Sequence, residues 1–211
     1  MDLQVLKTAF QNFKVMAIAT LLIGCEQKYS LPYYNTADLT PVWAAKQDTF
    51  HTIAPFSFTD QDGHGVSESD FRGKIYVANF FFTICPGICP KLTSNMKLVA
   101  DEFRNDERVR FISHSVTPGI DSVPRLKKYA DRFQIDSKQW RLVTGDKDDI
   151  YSLARSSYFA EAEQGSNSDF IHTEHFMLID REGHVRGVYK GTLQPEMIRL
   201  ADDIRALLSE P

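Results

Sequence analysis

"IYVANFFFTICPGICPKLTSNMKLVADEF", residues 75–103, changes pattern twice within one stretch. Its opening, "IYVANFFFT" (75–83), is an apolar run of strand length rich in β-branched and aromatic residues, as expected for a strand buried on both faces. Its end, "KLTSNMKLVADEF" (91–103), places Leu92, Met96, Val99 and Phe103 at helical spacing. Between them lie Cys85 and Cys89, separated by Pro-Gly-Ile and each followed by proline. Pro86 disfavours helix at Cys85, which therefore belongs to a loop. Pro90 suits the first helical position, which puts Cys89 at or beside the N-cap. Unpaired amides and the helix dipole favour a thiolate there. Gly87 lets the loop bend so that the sulfurs face one another. A loop of this width can close a disulfide, and it can open to bring two thiolates to one metal. Spacing alone leaves three readings: a redox pair, a metal site, or two inert core thiols.

Outward from this stretch, strands and helices alternate. "FSFTDQDGHG" suggests a strand followed by an Asp-Gly hairpin turn. "VRFISHSV" (109–116) is a second core strand, and "SVPRLKKYADRF" (122–133) a helix with Pro124 near its start. "RLVTG" (141–145) is a short strand. "DKDDIYSLARSS" is a helix with acidic residues in its first turn. "FMLID" and "VRGVYKG" form a hairpin around "REG", and "PEMIRLADDIRALL" closes the chain as a helix with Pro195 at its first position. The pattern argues for a single α/β domain with a mixed sheet flanked by helices. A strand, a Cys-bearing turn, a helix and another strand are the thioredoxin-like arrangement, with the turn at the carboxyl end of a strand, where ligands gather in such sheets.

The 211 residues are 43% hydrophobic and 25% charged, as in a globular protein rather than a disordered one. The formal charge of -4 offers no overall basic footprint for nucleic acid. The start differs from the rest. Lys7 and Lys14 precede an apolar run from Val15 to Ile23, shorter than the roughly 20 residues a bilayer span takes but suited to the core of a signal peptide. The run ends in "LIGC", which resembles a bacterial lipobox, so residues 1–24 are expected to be a lipoprotein signal peptide and Cys25 a lipidated residue. Residues 25–46 read as a tether, and 47–211 as the folded domain. The protein is then expected in the cell envelope, outside the cytoplasm, anchored to a membrane by lipid. With Cys25 acylated, Cys85 and Cys89 are the remaining cysteines. Outside the cytoplasm such a pair is oxidised unless a reductant or a metal holds it as thiolates.

Two thiolates are fewer than the four ligands of structural zinc, whereas soft thiolates with an imidazole suit copper. Of six histidines, His51 lies at the start of the domain, and His64 and His184 fall in or beside hairpin turns. His114 sits near the carboxyl end of strand 109–116. His172 and His175 flank the entry to the next core strand, and residues three apart on a strand point to opposite faces, so at most one of the two faces the cysteines. Asp121 is either a solvated loop acid or an aid to docking a partner.

"TICPGICPKLTSNM" with "DFIHTEHFMLIDREG" resembles the Sco (SenC) family of copper proteins. The resemblance extends through "HTIAPFSFTDQDG", "FISHSVTP" and "RGVYKGTL", covering nearly all of residues 48–211. Its specific part is Cys-Pro-x-x-Cys-Pro after a thioredoxin-like strand, with a histidine eight residues before the aspartate that ends the next core strand. That aspartate is Asp180, so the matching histidine is His172, with His175 as runner-up. Thioredoxins carry a cis-proline in this segment, and His172 in "IHT" departs from that pattern. The resemblance implies a thioredoxin-like fold and a site of Cys85, Cys89 and His172 for Cu(I) or Cu(II). The implied task is copper delivery, or thiol reduction, for a cytochrome c oxidase subunit with a copper centre, or for another copper or thiol protein. Family members also act as thiol–disulfide oxidoreductases and redox sensors, and membership does not choose among these tasks. A peroxidase of the same fold is a third class. Thr83 would serve it, but no arginine is close in sequence.

Overall fold

The computed structural model describes residues 30–160, 171 and 173–210. Seven strands make one mixed sheet: β3 (Ser57–Asp60), β4 (Gly65–Ser67), β5 (Ile75–Phe81), β6 (Val109–Ser115), β7 (Trp140–Thr144), β8 (His175–Ile179) and β9 (Val185–Lys190), in the order β4-β3-β7-β6-β5-β8-β9. The central β5-β6-β7 strands run parallel, and the others pair antiparallel. Among the described residues, four helices pack on the sheet: α1 (Ile88–Glu102), α2 (Val123–Phe133), α3 (Lys147–Tyr158) and α4 (Gln194–Ser209). A separate ribbon of β1 (Tyr33–Tyr34) and β2 (Pro41–Val42) precedes them.

Every residue of β5 is buried, as its unbroken apolar run requires. Ile75, Val77 and Phe81 join a core with α1, α2 and α4 that contains Cys89. Tyr76, Ala78 and Phe80 join a second core with α3, Phe56 and Phe58 on the other face. This is the single-domain thioredoxin-like fold expected, and it sets the cysteine turn at the carboxyl end of the central strand. The two hairpins are built alike. Asp60 accepts from the N–H of Asp62 and His64, and Asp180 from the N–H of Glu182 and His184. Gly63 and Gly183 supply the left-handed residue each turn needs, with φ of 82° and 91°.

Two boundaries differ from expectation. The stretch read as a tether is folded from Leu31 on: Leu31 and Tyr33 are buried. The cause is Arg186, buried on β9, whose guanidinium donates to the carbonyls of Leu31 and Pro32 at 2.9 and 3.2 Å. It also lies 4.2 Å from the Tyr33 ring and pairs with Asp180 and Glu210. A buried cation needs such partners, and the segment leading into β1 supplies two of them as the Leu31 and Pro32 carbonyls. The second difference is the start of α1, which begins at Ile88 with Gly87 as N-cap. Pro90 is thus the third helical residue, not the first, a position where the missing N–H is equally unneeded. In the same way Pro195 is the second residue of α4.

Candidate metal and redox centre

β5 hands the chain to the cysteine turn through one buried carboxylate. Asp121, fully buried after β6, accepts from the Thr83 N–H (3.2 Å) and hydroxyl (2.5 Å), from Ser115 Oγ (2.6 Å) and from Thr117 Oγ1 (3.0 Å). It ties the residue two before Cys85 to the loop that follows β6. Neither reading of Asp121 as an exposed acid holds. Ser115 and Thr117 are close to it in sequence, but Thr83 is 38 residues away, so the local pattern does not announce the link. Thr83 Oγ1 donates to this carboxylate, which withdraws it from the role a peroxidase would ask of it. The Cys85 N–H then donates to Phe82 O at 3.3 Å, and the chain turns into α1.

The two cysteines are chemically unequal free thiols. Cys89 lies in the first turn of α1, not at its N-cap, and is 3% exposed. Cys85 is half-buried on the preceding loop. Burial works to raise the Cys85 thiol, but the N–H groups of Cys89, Gly87 and Ile88 and the Cys89 thiol all hydrogen-bond to its sulfur, and the balance leaves it below its ordinary value. The helix N-terminus therefore serves Cys85 across the loop. Burial pushes Cys89 up to about 12, against a backbone hydrogen bond from Phe82; contact with Cys85 and the charge of Asp121 add to the rise. Cys85 is the accessible nucleophile and Cys89 the recessed partner, with the two sulfurs in hydrogen-bond contact. Two converging thiols, one surrounded by N–H groups that would stabilise its thiolate, suit a soft metal ion as well as a disulfide.

His172 and Cys25 lie outside the described residues. The five described histidines are placed as follows. His175 opens β8, where Phe176 and Leu178 join the core of Cys89 while Met177 and Ile179 join the opposite one. Alternation puts His175 on the face away from the cysteines, and it is exposed. His51 Nε2 lies 2.9 Å from Ser157 O, and His184 Nδ1 lies 3.0 Å from His51 O. His64 is exposed in its hairpin turn, beside Asp60. His114 belongs to the opposite face. It is fully buried among the rings of Phe56, Phe58, Phe80 and Tyr158, whose centroids lie 5.2–5.8 Å away. Neither of its ring nitrogens has a hydrogen-bond partner. Burial drops its pKa from 6.5 to about 3. Two trios, Asp60-Asp62-His64 and Asp180-Glu182-His184, converge in the hairpin turns. Their lead aspartates are engaged by backbone N–H groups and by Arg141 and Arg186, which makes them turn-forming residues.

A family model described as SCO1/SenC matches residues 44–209. Among solved structures, a SCO1/SenC family lipoprotein from Bacillus anthracis str. Ames is 30% identical, with a TM-score of 0.69 over 79% of this chain and 100% of that one. BsSco, described with a disulfide switch and as a member of the Sco family of cytochrome c oxidase assembly proteins, is 28% identical, with a TM-score of 0.67 over 80% and 100%. Arabidopsis thaliana ScoI with copper bound is 25% identical, with a TM-score of 0.60 over 74% and 98%.

Proposed function

The chain belongs to the SCO1/SenC family, and we propose from that membership that it binds copper through Cys85, Cys89 and His172 and serves cytochrome c oxidase assembly. The observation that carries the proposal is the cysteine turn itself: two sulfurs in contact, one of them facing three backbone N–H groups. The copper-bound Arabidopsis relative and the stated role of BsSco support it.

The residues divide the work by their chemistry. Cys85 gives up its proton more readily than an ordinary cysteine thiol. Cys89 gives up its proton only as the metal takes its place, so binding releases protons and tightens as pH rises. Neutral His172 is the third ligand. Three ligands leave a coordination position for a partner's thiolate, so copper passes onward by ligand exchange. Cys25 carries the lipid that holds the protein at the membrane, in keeping with the B. anthracis relative's description as a lipoprotein. Among the described residues, no helix is long and apolar enough to cross a membrane.

The test is metal analysis of the reduced protein after dialysis against a chelator. One copper per chain is expected for the parent and none for Cys85→Ser or Cys89→Ser. Full retention by either variant would remove the pair from the site.

The inequality of the two thiols favours a second reading. An accessible thiol of low pKa beside a recessed one of high pKa is the arrangement for reducing a partner's disulfide: Cys85 attacks, and Cys89 resolves the mixed disulfide. His172→Ala separates the two readings. It weakens copper binding, and it leaves disulfide reduction at the parental rate if the protein acts as a reductase.

A further inference from the structure

Beside the cysteine turn, from Thr83 along α2, runs a cleft of about 720 Å3 whose lining includes Thr83, Pro124, Arg125, Lys128, Tyr129 and Arg132. Several cations elsewhere on the protein have carboxylate partners: Lys97 with Asp101, Arg108 with Asp106, Lys190 with Glu174, Arg205 with Glu102. Lys127, also on α2, is held by Asp62 at 2.9 Å and Asp131 at 3.7 Å. Arg125, Lys128 and Arg132 are exposed and have no carboxylate partner among the described residues. Arg132 lies 5.4 Å from the ring of its neighbour Phe133. Exposed Lys91, two residues after Cys89, is likewise unpaired. A chain with a formal charge of -4 thus carries, among the described residues, three cations without carboxylate partners along one helix beside its cysteine turn.

We propose that this cleft is the docking surface for an acidic protein partner, whose carboxylates line up on Arg125, Lys128 and Arg132 and so present its cysteines to Cys85. The assignment deepens the function proposed above and rests on it for the partner's thiols. The spacing argues for an extended anion. Arg125, Lys128 and Arg132 recur at three and four residues on one helical face, spanning about 10 Å along the axis. One phosphate or sulfate cannot touch all three, whereas acidic side chains on a strand or helix can. Thr83 sits at the cysteine end of the cleft, and Tyr129, buried beneath it, packs on Phe81 at the end of β5. The Thr83 end of the cleft is thus the end nearer the cysteine turn. Charge complementarity of this kind acts chiefly on the rate of encounter, by about 10- to 1,000-fold, and is screened by salt.

The experiment uses the full chain in detergent, reduced, with Cys25→Ser so that only the pair reacts. Synthetic peptides carry one cysteine capped by an aromatic thiol as a disulfide, flanked by glutamates or by serines. The Cys85 thiolate attacks the peptide sulfur, the protein–peptide disulfide forms, and the aromatic thiolate that leaves is followed by absorbance. The readout is the ratio of the two rates, in which any change in Cys85 itself cancels. The glutamate peptide should react at least about tenfold faster at low ionic strength, with the ratio approaching one in strong salt. The ratio should also fall towards one in Arg125→Glu/Lys128→Glu/Arg132→Glu, and partway in Lys128→Glu alone, a milder change. A ratio near one for the parent, or a preference that survives the triple substitution, would overturn the proposal. Phosphatidylglycerol vesicles are the competing arm. If the three cations govern vesicle binding and the peptides show no preference, the patch serves the membrane and the proposal fails. Copper stoichiometry is measured on the same samples. Its loss with the peptide preference intact would count against copper binding alone, leaving the docking surface standing.

Discussion

Replacing His114 with Phe should make the protein less sensitive to acid, by an amount that follows from its box. The imidazole is fully buried, four aromatic rings enclose it, and neither nitrogen has a partner. The titratable group touching it is Tyr158, itself buried, pushed up by burial and joined to Tyr76 at 3.3 Å, so no nearby anion rewards protonation. Its pKa falls from 6.5 to about 3. The unfolded chain therefore takes up a proton below 6.5 while the folded one does not, and stability drains away as pH falls from 6.5 towards 3. At about 1.36 kcal/mol per unit, the loss is about 2 kcal/mol at pH 5 and about 3 kcal/mol at pH 4. These are upper values, since water entering the box would reduce them. Phenylalanine removes the titration and the two orphan nitrogens. Its larger ring adds a packing cost of about 1–3 kcal/mol, but that cost does not vary with pH and cancels in the comparison. Urea unfolding followed by fluorescence of buried Trp140 gives the stability of both proteins from pH 7 to pH 4. The difference between variant and parent should move in the variant's favour by about 2 kcal/mol between pH 7 and pH 5, or about 4–8 °C in Tm. Parallel pH curves would refute the reasoning and mean that His114 is solvated or paired.

Asp121→Ala should cost about 3 kcal/mol by stranding the donors of Thr83, Ser115 and Thr117, and removing its charge should ease the ionisation of Cys89; equilibrium unfolding and thiol titration read the two effects. With limiting iodoacetamide at pH 7, Cys85 should be modified first, and Cys85→Ser should remove the fast phase, as peptide mass mapping would show; equal labelling of the two would contradict their inequality. Gly191→Ala should cost about 1–3 kcal/mol, since a Cβ there would meet Phe176 at 2.6 Å and Leu92 at 2.8 Å beneath α1; thermal unfolding measures it. Copper loading of the reduced protein should release protons and weaken as pH falls, measured by calorimetry in buffers of different ionisation enthalpy.

The central strand and the place of the cysteine turn were legible because β5 is buried on both faces and writes that burial as an unbroken apolar run. The start of α1 was misplaced because proline marks the first turn of a helix without marking which residue of it. That shift moved the thiolate from Cys89 to Cys85: once Gly87 is the N-cap, the free N–H groups face the loop sulfur. Leu31 and Tyr33 read as tether because what holds them, Arg186, lies more than 150 residues away along the chain. The Asp121 network escaped for the same reason, since Thr83, 38 residues away, meets it only in the fold. The alternation along β8 separates Phe176 from His175 as the period of two requires. His172 owes its assignment to the family resemblance and lies outside the described residues.

X-ray absorption at the copper edge of the loaded protein tests the central claim most directly. The parent and His175→Ala should both show two sulfur neighbours and one imidazole, and His172→Ala should keep the sulfurs and lose the imidazole. A first shell without sulfur, or loss of the imidazole in His175→Ala with the spectrum of His172→Ala unchanged, would contradict the account.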